Sequence, residues 1–427
     1  MDTTSSSTPD ALCSNFDSRR SNLGGHPLPP GVSSHYGGDM RSGLECLLDD
    51  PGAVLQGRVG LIANPTTVDR SLAHAADRLA AHRDVDLKML FGPEHGIRGD
   101  AQYMEDVRDD VDRATGLPVV SLYGDSFASL SPQPSHLAEL DTLLFDIQDI
   151  GTRYYTYAAT LALAMRASEG RRVVVLDRPN PLGGTLREGG GLESHLESFV
   201  GLYPVPQRHG LTVGELAHLY RDAFGVDCDL HVIKCEGWRR GMTFDRSGLP
   251  WVMPSPNMPT LETAWVYAGM CLLEGTNVSE GRGTTRPFEL FGAPFCDGAE
   301  LAEKLNAMQL PGAGFRPCAF TPTFDKFKGE LCLGVQLHVH DRSQFMAYRT
   351  GLAVLVALRA LYPEEFAWRR EAYEFRDDVP AIDLLTGRTE VREAIDAGAE
   401  LDDVNAAAVF GLEAFDAHVE AAELYPQ

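Results

Sequence analysis

Short apolar segments that alternate with helix-like stretches leave this chain few folds to adopt. The apolar segments are dominated by Val, Ile, Leu, Ala and Phe, as expected of strands buried on both faces of a sheet, and they cover residues 58–63, 85–91, 117–123, 142–145 and 172–176. Residues with helical spacing lie between them, over 69–82, 136–140 and 157–168. This β-α-β-α order predicts an α/β fold with a doubly wound parallel sheet, and Asp69 is positioned to cap the first of these helices.

Polar residues follow several of the predicted strands at the point where each strand ends. They are Asn64, Glu94, His95, Asp146, Gln148, Asp149, Asp177 and Asn180. In a doubly wound sheet, the crevice that binds ligands lies outside the carboxyl ends of the strands. Polar clusters that share this edge therefore predict a binding or catalytic site.

The stretch from Phe91 to Asp100 concentrates ionisable groups in a loop. Gly92 and Pro93 end the preceding strand and turn the chain, and Glu94 and His95 follow directly. An isolated Glu-His pair in such a loop is also typical of an ordinary solvated turn. The repetition of polar strand ends elsewhere in the chain favours the functional interpretation.

Neither a cofactor nor a metal is expected. The chain has no G-x-G-x-x-G between a strand and a helix and no G-x-x-x-x-G-K-[ST], so the fingerprints of dinucleotide and P-loop sites are absent. His338 and His340 share one face of a predicted strand over residues 332–340, but no third metal ligand accompanies them.

The second half of the chain lacks the regular alternation of strands and helices and contains long stretches rich in Pro and Gly. Thr212 and Glu215 form a capping box at the start of a helix, and a strand is predicted over 230–234. Two stretches rich in Pro, Gly and polar residues follow, at 253–260 and 274–286. Their Asn, Glu, Arg and Thr side chains suit a polyhydroxylated ligand, although a structural Ω-loop would look similar. Helices over 343–361 and 389–425 are interpreted as packing elements.

Composition limits the partners of the protein. With 61 acidic and 37 basic residues, the formal charge of −24 argues against nucleic-acid or anionic-membrane partners. No apolar run is long enough for a transmembrane helix, and the eight cysteines lack a C-x-x-C pair, which is typical of a reducing compartment. Residues 1–38 lack the apolar core of a secretory signal and are predicted to be a disordered extension, with Met40 as an alternative start. A cytoplasmic protein is the expectation.

Five motifs carry a resemblance to a known family. They are residues 92–99 (GPEHGIRG), 145–155 (FDIQDIGTRYY), 176–181 (LDRPNP), 254–259 (PSPNMP) and 274–284 (EGTNVSEGRGT). The chain from about residue 40 onwards resembles the exo-β-N-acetylmuramidases of the NamZ type, also called the YbbC-like or DUF1343 family. The resemblance implies a Rossmann-like catalytic domain, here 39–205, and a smaller C-terminal α/β domain, here 206–427, with the active site in the cleft between them. It also implies release of non-reducing terminal N-acetylmuramic acid from peptidoglycan fragments, such as a disaccharide with N-acetylglucosamine or a muropeptide.

Glycoside hydrolysis normally requires two carboxyl groups. We expect Glu94 to be the general acid and His95 to orient it. The second carboxylate is left open between Asp149, Asp146 and Glu280, and the acetamido group of the sugar is an alternative nucleophile. A carboxyl separation of about 5–5.5 Å would indicate a protein nucleophile, and one of about 6.5–9.5 Å an inverting water.

Substrate contacts are expected from Arg, Asn and Tyr side chains near these carboxyls. Arginine forks match the lactyl carboxylate of muramic acid, and tyrosine rings offer a stacking face. The predicted contacts are Asn64, Arg98, Asp146, Gln148, Arg153, Tyr154, Asn180, Asn257, Asn277 and Arg282. A homodimer is one option for the oligomeric state.

Other functions remain open at this stage. A non-catalytic sugar- or muropeptide-binding protein would use the same cleft, and so would a hydrolase of another acidic amino sugar. An acyl hydrolase is disfavoured, because no G-x-S-x-G elbow is present and Ser279 lacks a strand-to-helix context.

Overall fold

A mostly parallel sheet forms the centre of the first half of the molecule. The computed structural model describes residues 40–99 and 110–427. The strands of this sheet are β1 (Arg58–Ala63), β2 (Asp86–Gly92), β3 (Asp110–Val111), β4 (Pro118–Ser121), β5 (Thr142–Asp146), β6 (Arg172–Leu176) and β7 (Asp229–Ile233). Their order is β3-β4-β2-β1-β5-β6-β7, and all pairs are parallel except β3 with β4. The chain therefore changes direction across the sheet between β1 and β5, where a doubly wound sheet opens its crevice.

Helices cover both faces of this sheet. They are α1 (Gly43–Leu47), α2 (Pro51–Val54), α3 (Ala75–Ala80), α4 (Pro134–Leu137), α5 (Tyr157–Ala167) and α6 (Val213–Asp222). Strand β6 shows the consequence of burial on two sides: Val173 and Val175 join the core that contains α5 and α6, whereas Val174 and Leu176 join the core that contains α1 and α3. The predicted doubly wound sheet is confirmed.

The second half contains a smaller antiparallel sheet with its own helices. Its strands are β8 (Leu290–Ala293), β9 (Ala313–Phe320) and β10 (Cys332–Val339), in the order β8-β10-β9. The helices are α7 (Leu261–Met270), α8 (Gly298–Ala307), α9 (Ala347–Leu361), α10 (Ala381–Thr386), α11 (Thr389–Asp396), α12 (Leu401–Ala408) and α13 (Leu412–Ala422). Short 3-10 helices lie at Phe127–Leu130, Ser194–Leu196, Phe244–Arg246 and Cys271–Gly275. None of the described helices is long and apolar enough to cross a lipid bilayer.

Two close contacts stabilise the molecule, one within the second half and one between the second half and the first. Helices α7 and α9 cross so closely that a Cβ atom on Gly269 would lie 1.9 Å from the carbonyl oxygen of Ala347. The C-terminal segment that follows α13 returns to the first sheet, where the hydroxyl of Tyr425 donates to the buried carboxylate of Asp177. Strand β7 lies beyond residue 205 and pairs with β6 in the first sheet, and the division into 39–205 and 206–427 stays a prediction.

Most predicted elements are confirmed, including the capping box at α6. The hydroxyl of Thr212 accepts from the backbone N–H of Glu215 at 3.2 Å, and the Glu215 carboxylate accepts from the N–H of Thr212 at 3.0 Å. The predicted disordered extension over 1–38 lies outside the described residues.

Two predicted helices were wrong in extent. The helix expected over 69–82 begins only at Ala75, because Leu72 has a left-handed φ of 65° and Asp69 caps a turn by accepting from Ser71 N at 2.8 Å. The ring of His74 caps the helix instead, accepting from Ala76 N at 3.2 Å. The single helix expected over 389–425 is broken into α11, α12 and α13.

Glycines explain the second correction. Gly398 and Gly411 have φ values of 74° and 70°, which favour glycine and end a right-handed helix. Gly398 separates α11 from α12, and Gly411 separates α12 from α13. The tail therefore folds back on itself, and α13 packs against α6 of the first half.

Candidate active site

A cleft that is partly open to solvent lies where loops after β2 and β5 meet loops of the second half, and its empty space of about 490 Å³ includes the solvent at its mouth. Its lining is aromatic and acidic, and consists of Glu94, His95, Tyr154, Tyr155, Thr156, Tyr157, Val200, Ser255, Asn257, Met258, Tyr267, Glu274, Arg282, Phe288, Tyr373 and Glu374. Aromatic walls with a few polar groups are typical of sugar-sized binding sites. This cleft lies at the carboxyl edge of the sheet, where the sequence predicts a site.

Glu94 presents a carboxyl oxygen to this cleft without a bond to the protein. Its Oε1 is buried and has no hydrogen-bond partner among the described residues. The imidazole of His95 lies beside it, with Nε2 3.8 Å from Oε1. His95 is itself buried and has a left-handed φ of 73°, which turns the chain directly after Glu94. A buried carboxyl oxygen that lacks a protein partner is available to a ligand.

A second carboxyl in the cleft, Glu274, belongs to an ion-pair network. Its Oε1 accepts from Arg282 at 2.7 Å, and its Oε2 accepts from the hydroxyl of Tyr373 at 2.8 Å. The Arg282 guanidinium also lies 3.1 Å from Glu280 and 5.1 Å from the ring centre of Phe288. These contacts fix Arg282 in one orientation at the cleft wall.

The predicted catalytic candidate Glu280 lies behind that wall. It is not among the lining residues, and Lys326 donates to its Oε2 at 2.9 Å. Burial opposes ionisation of Glu280, but Lys326 and Arg282 outweigh it and hold the pKa of the carboxyl below its usual range. An ionised carboxylate with both oxygens occupied favours a role in fixing Arg282.

The third carboxyl of the cleft, Glu374, was not predicted from the sequence. It sits in a tight turn in which Tyr373 and Arg376 exchange backbone hydrogen bonds of 2.8 and 3.0 Å. Glu374 and Phe375 both have left-handed φ values, 46° and 66°. The only local signal is a Glu between two aromatic residues, in a segment without helical or strand periodicity between α9 and α10.

Glu374 is buried in a way that disfavours its charge. Its Oε2 has no hydrogen-bond partner in the described part of the chain. Burial, together with the carboxylates of Glu94 and Glu274, raises the pKa of Glu374 to about 8, and Arg282 and Arg369 oppose this only in part. The cleft therefore holds a carboxyl that keeps its proton at neutral pH.

This proton has a consequence for stability. The carboxyl of Glu374 stays protonated in the folded state up to about pH 8, whereas in the unfolded chain it ionises near pH 4.5. Because the folded state binds the extra proton between these values, stability falls as the pH rises through this window. We expect the melting temperature of Glu374→Gln relative to wild type to increase by several degrees from pH 5 to pH 9. Thermal unfolding at both pH values measures this.

The matched control is Glu371→Gln, an exposed carboxylate on the same segment. Its melting temperature relative to wild type should change little between the two pH values. If the difference in melting temperature between wild type and Glu374→Gln were the same at pH 5 and pH 9, this would contradict the buried, protonated state of Glu374.

Of the residues predicted from sequence, the structure brings five to the cleft. These are Glu94, His95, Tyr154, Asn257 and Arg282. The Nδ2 atom of Asn257 is buried and has no hydrogen-bond partner within residues 40–99 and 110–427, so it offers a donor to a ligand. Tyr154 contributes its ring, and its hydroxyl donates to the backbone carbonyl of Ala268.

The two predicted aspartates are engaged beneath the cleft. Asp146 forms a buried, two-point ion pair with Arg178, with N–O distances of 2.5 and 2.9 Å. Asp149 accepts from Gly151 N at 2.6 Å, and its Oδ2 lies 3.3 Å from Nε2 of His209. Neither aspartate lines the cleft, and these contacts favour roles in supporting the loop after β5.

The remaining predicted contacts also bond to the protein. Arg98 pairs with Asp77 and Asp112, and Arg153 donates to the carbonyls of residues 191, 205 and 385. The amides bond to neighbouring groups in the following way: Asn64 to Thr66, Gln148 to the Pro179 carbonyl, Asn180 to the Leu211 carbonyl, and Asn277 to the Glu365 carbonyl. These residues shape loops around the cleft and do not line it.

Other residues that the sequence raised as candidates for metal binding or nucleophilic attack lie outside the cleft lining. The described residues contain no group of three or more His, Cys, Asp or Glu side chains arranged to hold a metal, and Nε2 of His338 lies 3.3 Å from Nε of Arg316. Burial raises the pKa of the Cys271 thiol beside the cleft well above its usual value, which disfavours a thiolate nucleophile. The Oγ of Ser279 accepts from Gly281 N at 3.2 Å.

Comparison with known proteins assigns the family. Sequence models of exo-beta-N-acetylmuramidase NamZ match the chain in two parts, the N-terminal part at residues 59–262 and the C-terminal part at 265–425. The chain belongs to the NamZ family. It is 49% identical over 368 residues, 86% of each chain, to peptidoglycan beta-N-acetylmuramidase NamZ of Bacillus subtilis strain 168.

Solved structures agree with this family assignment. Two crystal structures of DUF1343-family proteins from Bacteroides fragilis NCTC 9343 resemble the fold. The first has a TM-score of 0.82 at 35% identity and covers 90% of this chain and 99% of its own. The second has a TM-score of 0.71 at 28% identity and covers 91% of this chain and 99% of its own. The NamZ fold thus extends over both halves described above.

Proposed function

We propose that this NamZ-family protein is an exo-β-N-acetylmuramidase that removes the non-reducing terminal, β-1,4-linked N-acetylmuramic acid from peptidoglycan fragments. The 49% identity to a peptidoglycan β-N-acetylmuramidase supports the reaction class. The observation that carries the proposal is Glu94, whose Oε1 is buried in the cleft without a hydrogen-bond partner among the described residues. A glycosidase requires such a carboxyl at the scissile bond.

The lining of the cleft supports binding of a small sugar unit. Tyr154 and Tyr267 present rings to the cleft, and Asn257 presents an amide donor. Location in the cytoplasm stays a prediction.

Arg282 is the best candidate to recognise the lactyl carboxylate. Of the three arginines predicted for this role, only Arg282 is among the cleft residues, whereas Arg98 and Arg153 are committed to other partners. Its position against Glu274 and Phe288 would hold the guanidinium plane steady for a planar carboxylate.

Replacing Arg282 by Lys is therefore expected to weaken recognition of the lactyl group. The inhibition constant of free N-acetylmuramic acid should rise by about tenfold, because an ammonium group cannot reproduce the two-point contact of a guanidinium. The inhibition constant of N-acetylglucosamine, which lacks the lactyl group, should change little. The control is Arg286→Lys, which affects a half-exposed arginine of the same loop. Equal weakening of both sugars by Arg282→Lys would contradict this assignment.

Hydrolysis of para-nitrophenyl β-N-acetylmuraminide tests the proposed reaction. The wild-type protein should release the chromophore from this glycoside and not from the corresponding N-acetylglucosaminide. Binding of the muraminide by calorimetry without any turnover would instead identify a sugar-binding protein. If both glycosides were hydrolysed at equal rates, the proposed specificity for the lactyl group would be wrong.

A further inference from the structure

The turn over residues 373–376 places an unexpected carboxyl in the same cleft as Glu94. Backbone bonds between Tyr373 and Arg376 close the turn, and the left-handed backbone of Glu374 directs its side chain into the cleft wall. Consecutive left-handed residues other than glycine are costly and are found where the surrounding structure enforces them. Such strain is typical of functional sites.

Packing on both sides enforces this turn. The ring of Phe375 makes edge contacts with Tyr123, Phe127 and Phe199, with ring centres 6.2 to 6.5 Å apart. On the other side, the hydroxyl of Tyr373 donates to Glu274. Glu374 is thus held between two anchored aromatic residues, one against the loops of the first sheet and one against the ion-pair network.

The charges that face Glu374 come from several elements. Glu94, after β2, and Glu274, in the 3-10 helix after α7, are acidic, and Arg282 and Arg369 are basic. Arg282 pairs with Glu274 and lies 3.1 Å from Glu280, and the Arg369 guanidinium lies 5.1 Å from the ring centre of Tyr373. Two carboxylates therefore face Glu374, and the two cations are shared with other groups. A neutral, protonated Glu374 is the state that these surroundings favour.

We propose that Glu374 is the second catalytic carboxyl and donates the proton to the glycosidic oxygen, while the Glu94 carboxylate acts at the anomeric carbon. This inference rests on the proposed muramidase function. It replaces Asp146, Asp149 and Glu280 as candidates, because none of these carboxylates lines the cleft. Asp146 and Glu280 are also held in buried ion pairs with Arg178 and Lys326. It also assigns the role of proton donor to Glu374, whereas the sequence suggested Glu94 for that role.

The reaction balances without any cofactor. As the bond between C1 and the glycosidic oxygen breaks, the proton of Glu374 moves to that oxygen, and the leaving sugar departs as an alcohol. The Glu94 carboxylate supports the developing positive charge at C1 and assists attack there. One water is consumed overall: its hydroxyl joins C1, and its proton returns to the carboxyl pair.

Leaving-group dependence distinguishes a proton donor from the other carboxyl. Glu374→Gln is expected to lower kcat/KM for a muramic acid–glucosamine disaccharide by about 10³-fold, because the sugar alkoxide cannot leave without a proton. With 2,4-dinitrophenyl β-N-acetylmuraminide, which leaves without protonation, the same variant should lose about tenfold or less. Glu94→Gln should lose activity towards both substrates, and Glu371→Gln, an exposed Glu in the same segment, should behave as wild type.

The pH profile supplies a readout that a structural role would not move. Wild-type kcat/KM for the disaccharide should fall above about pH 8, and this alkaline limb should disappear in Glu374→Gln assayed on the dinitrophenyl substrate. If the variant is insoluble, the wild-type profile decides, since constant activity from pH 6 to pH 10 would overturn the proposal.

Three further results would overturn it. The first is a wild-type kcat/KM for Glu374→Gln on the disaccharide, and the second is an equal loss of kcat/KM for Glu374→Gln on both substrates. The third is a loss of kcat/KM for Glu94→Gln that is confined to the disaccharide. Failure of the muramidase function itself is recognised separately, because the wild-type protein would then cleave neither substrate.

Discussion

Replacing Glu94 by Gln is expected to reduce kcat/KM for N-acetylmuraminides by about 10³-fold or more while leaving the fold intact. The change removes a carboxyl whose Oε1 is buried in the cleft and has no hydrogen-bond partner among the described residues, so no protein hydrogen bond to that oxygen is lost. Glutamine has nearly the same shape but can neither accept a proton nor carry a negative charge. Initial rates on the disaccharide, together with an unfolding curve, measure both parts of this prediction.

The control for Glu94 is the same substitution at Glu139. Its side chain is 72% exposed and precedes β5 at the opposite edge of the sheet from the cleft. Glu139→Gln should retain wild-type rates. Substantial activity in Glu94→Gln, with less than a tenfold loss, would remove Glu94 from the catalytic centre and would leave the cleft without its proposed reacting group.

Replacing Asp146 by Asn is expected to have the largest effect on stability. Arg178 would stay buried with its carboxylate partner removed, and breaking one side of a buried ion pair costs about 3–5 kcal/mol. Burial opposes the charge on Arg178, and Asp146 now outweighs that effect and raises the pKa of the guanidinium. Chemical denaturation of both proteins measures the difference in the free energy of unfolding.

Activity separates this structural role from the catalytic one that the sequence left open for Asp146. At low temperature, where Asp146→Asn is folded, its kcat/KM should lie within a few-fold of wild type, because the carboxylate does not line the cleft. The control is Asp141→Asn, which removes an exposed carboxylate paired with Arg58 on the same sheet and should destabilise the protein much less. If the Asp146→Asn protein were folded but inactive, Asp146 would again be a candidate for the catalytic carboxylate.

The first sheet and its functional edge could be predicted because their signals are local. Strand β6 is a run of apolar residues read directly from the sequence, and the glycine and proline after β2 mark the turn that presents Glu94. Parallel strands then place their carboxyl ends at one edge, so the sequence located Glu94 and His95 correctly at that edge. Local sequence patterns were therefore sufficient to predict the first sheet and its carboxyl edge.

The orientation of polar side chains at that edge could not be predicted. Asp146 and Asp149 lie in the same kind of position as Glu94, yet they point to Arg178 and to Gly151 and His209 inside the protein. The difference depends on Arg178 and His209, which lie more than 30 residues away in sequence from these aspartates and which no local pattern reveals. Sequence therefore gives the edge but not the direction of each side chain.

Glu374 and Glu274 illustrate the same limit more strongly. They come from irregular segments of the second half, and only tertiary packing brings them to Glu94. The tail was different, because Gly398 and Gly411 were visible in the sequence and their left-handed backbone could have been expected to interrupt the helix. The breaks in the helical tail could therefore have been predicted from the sequence, whereas the positions of Glu274 and Glu374 depend on the tertiary fold.

The central claim is removal of a terminal muramic acid, and the most direct measurement uses two disaccharides of opposite order. Wild-type protein is incubated with β-1,4-linked N-acetylmuramic acid–N-acetylglucosamine and, separately, with the reverse disaccharide, and the products are identified by mass spectrometry. The account predicts free N-acetylmuramic acid from the first and no cleavage of the second. Cleavage of the second disaccharide, or intact substrate in both reactions, would contradict it.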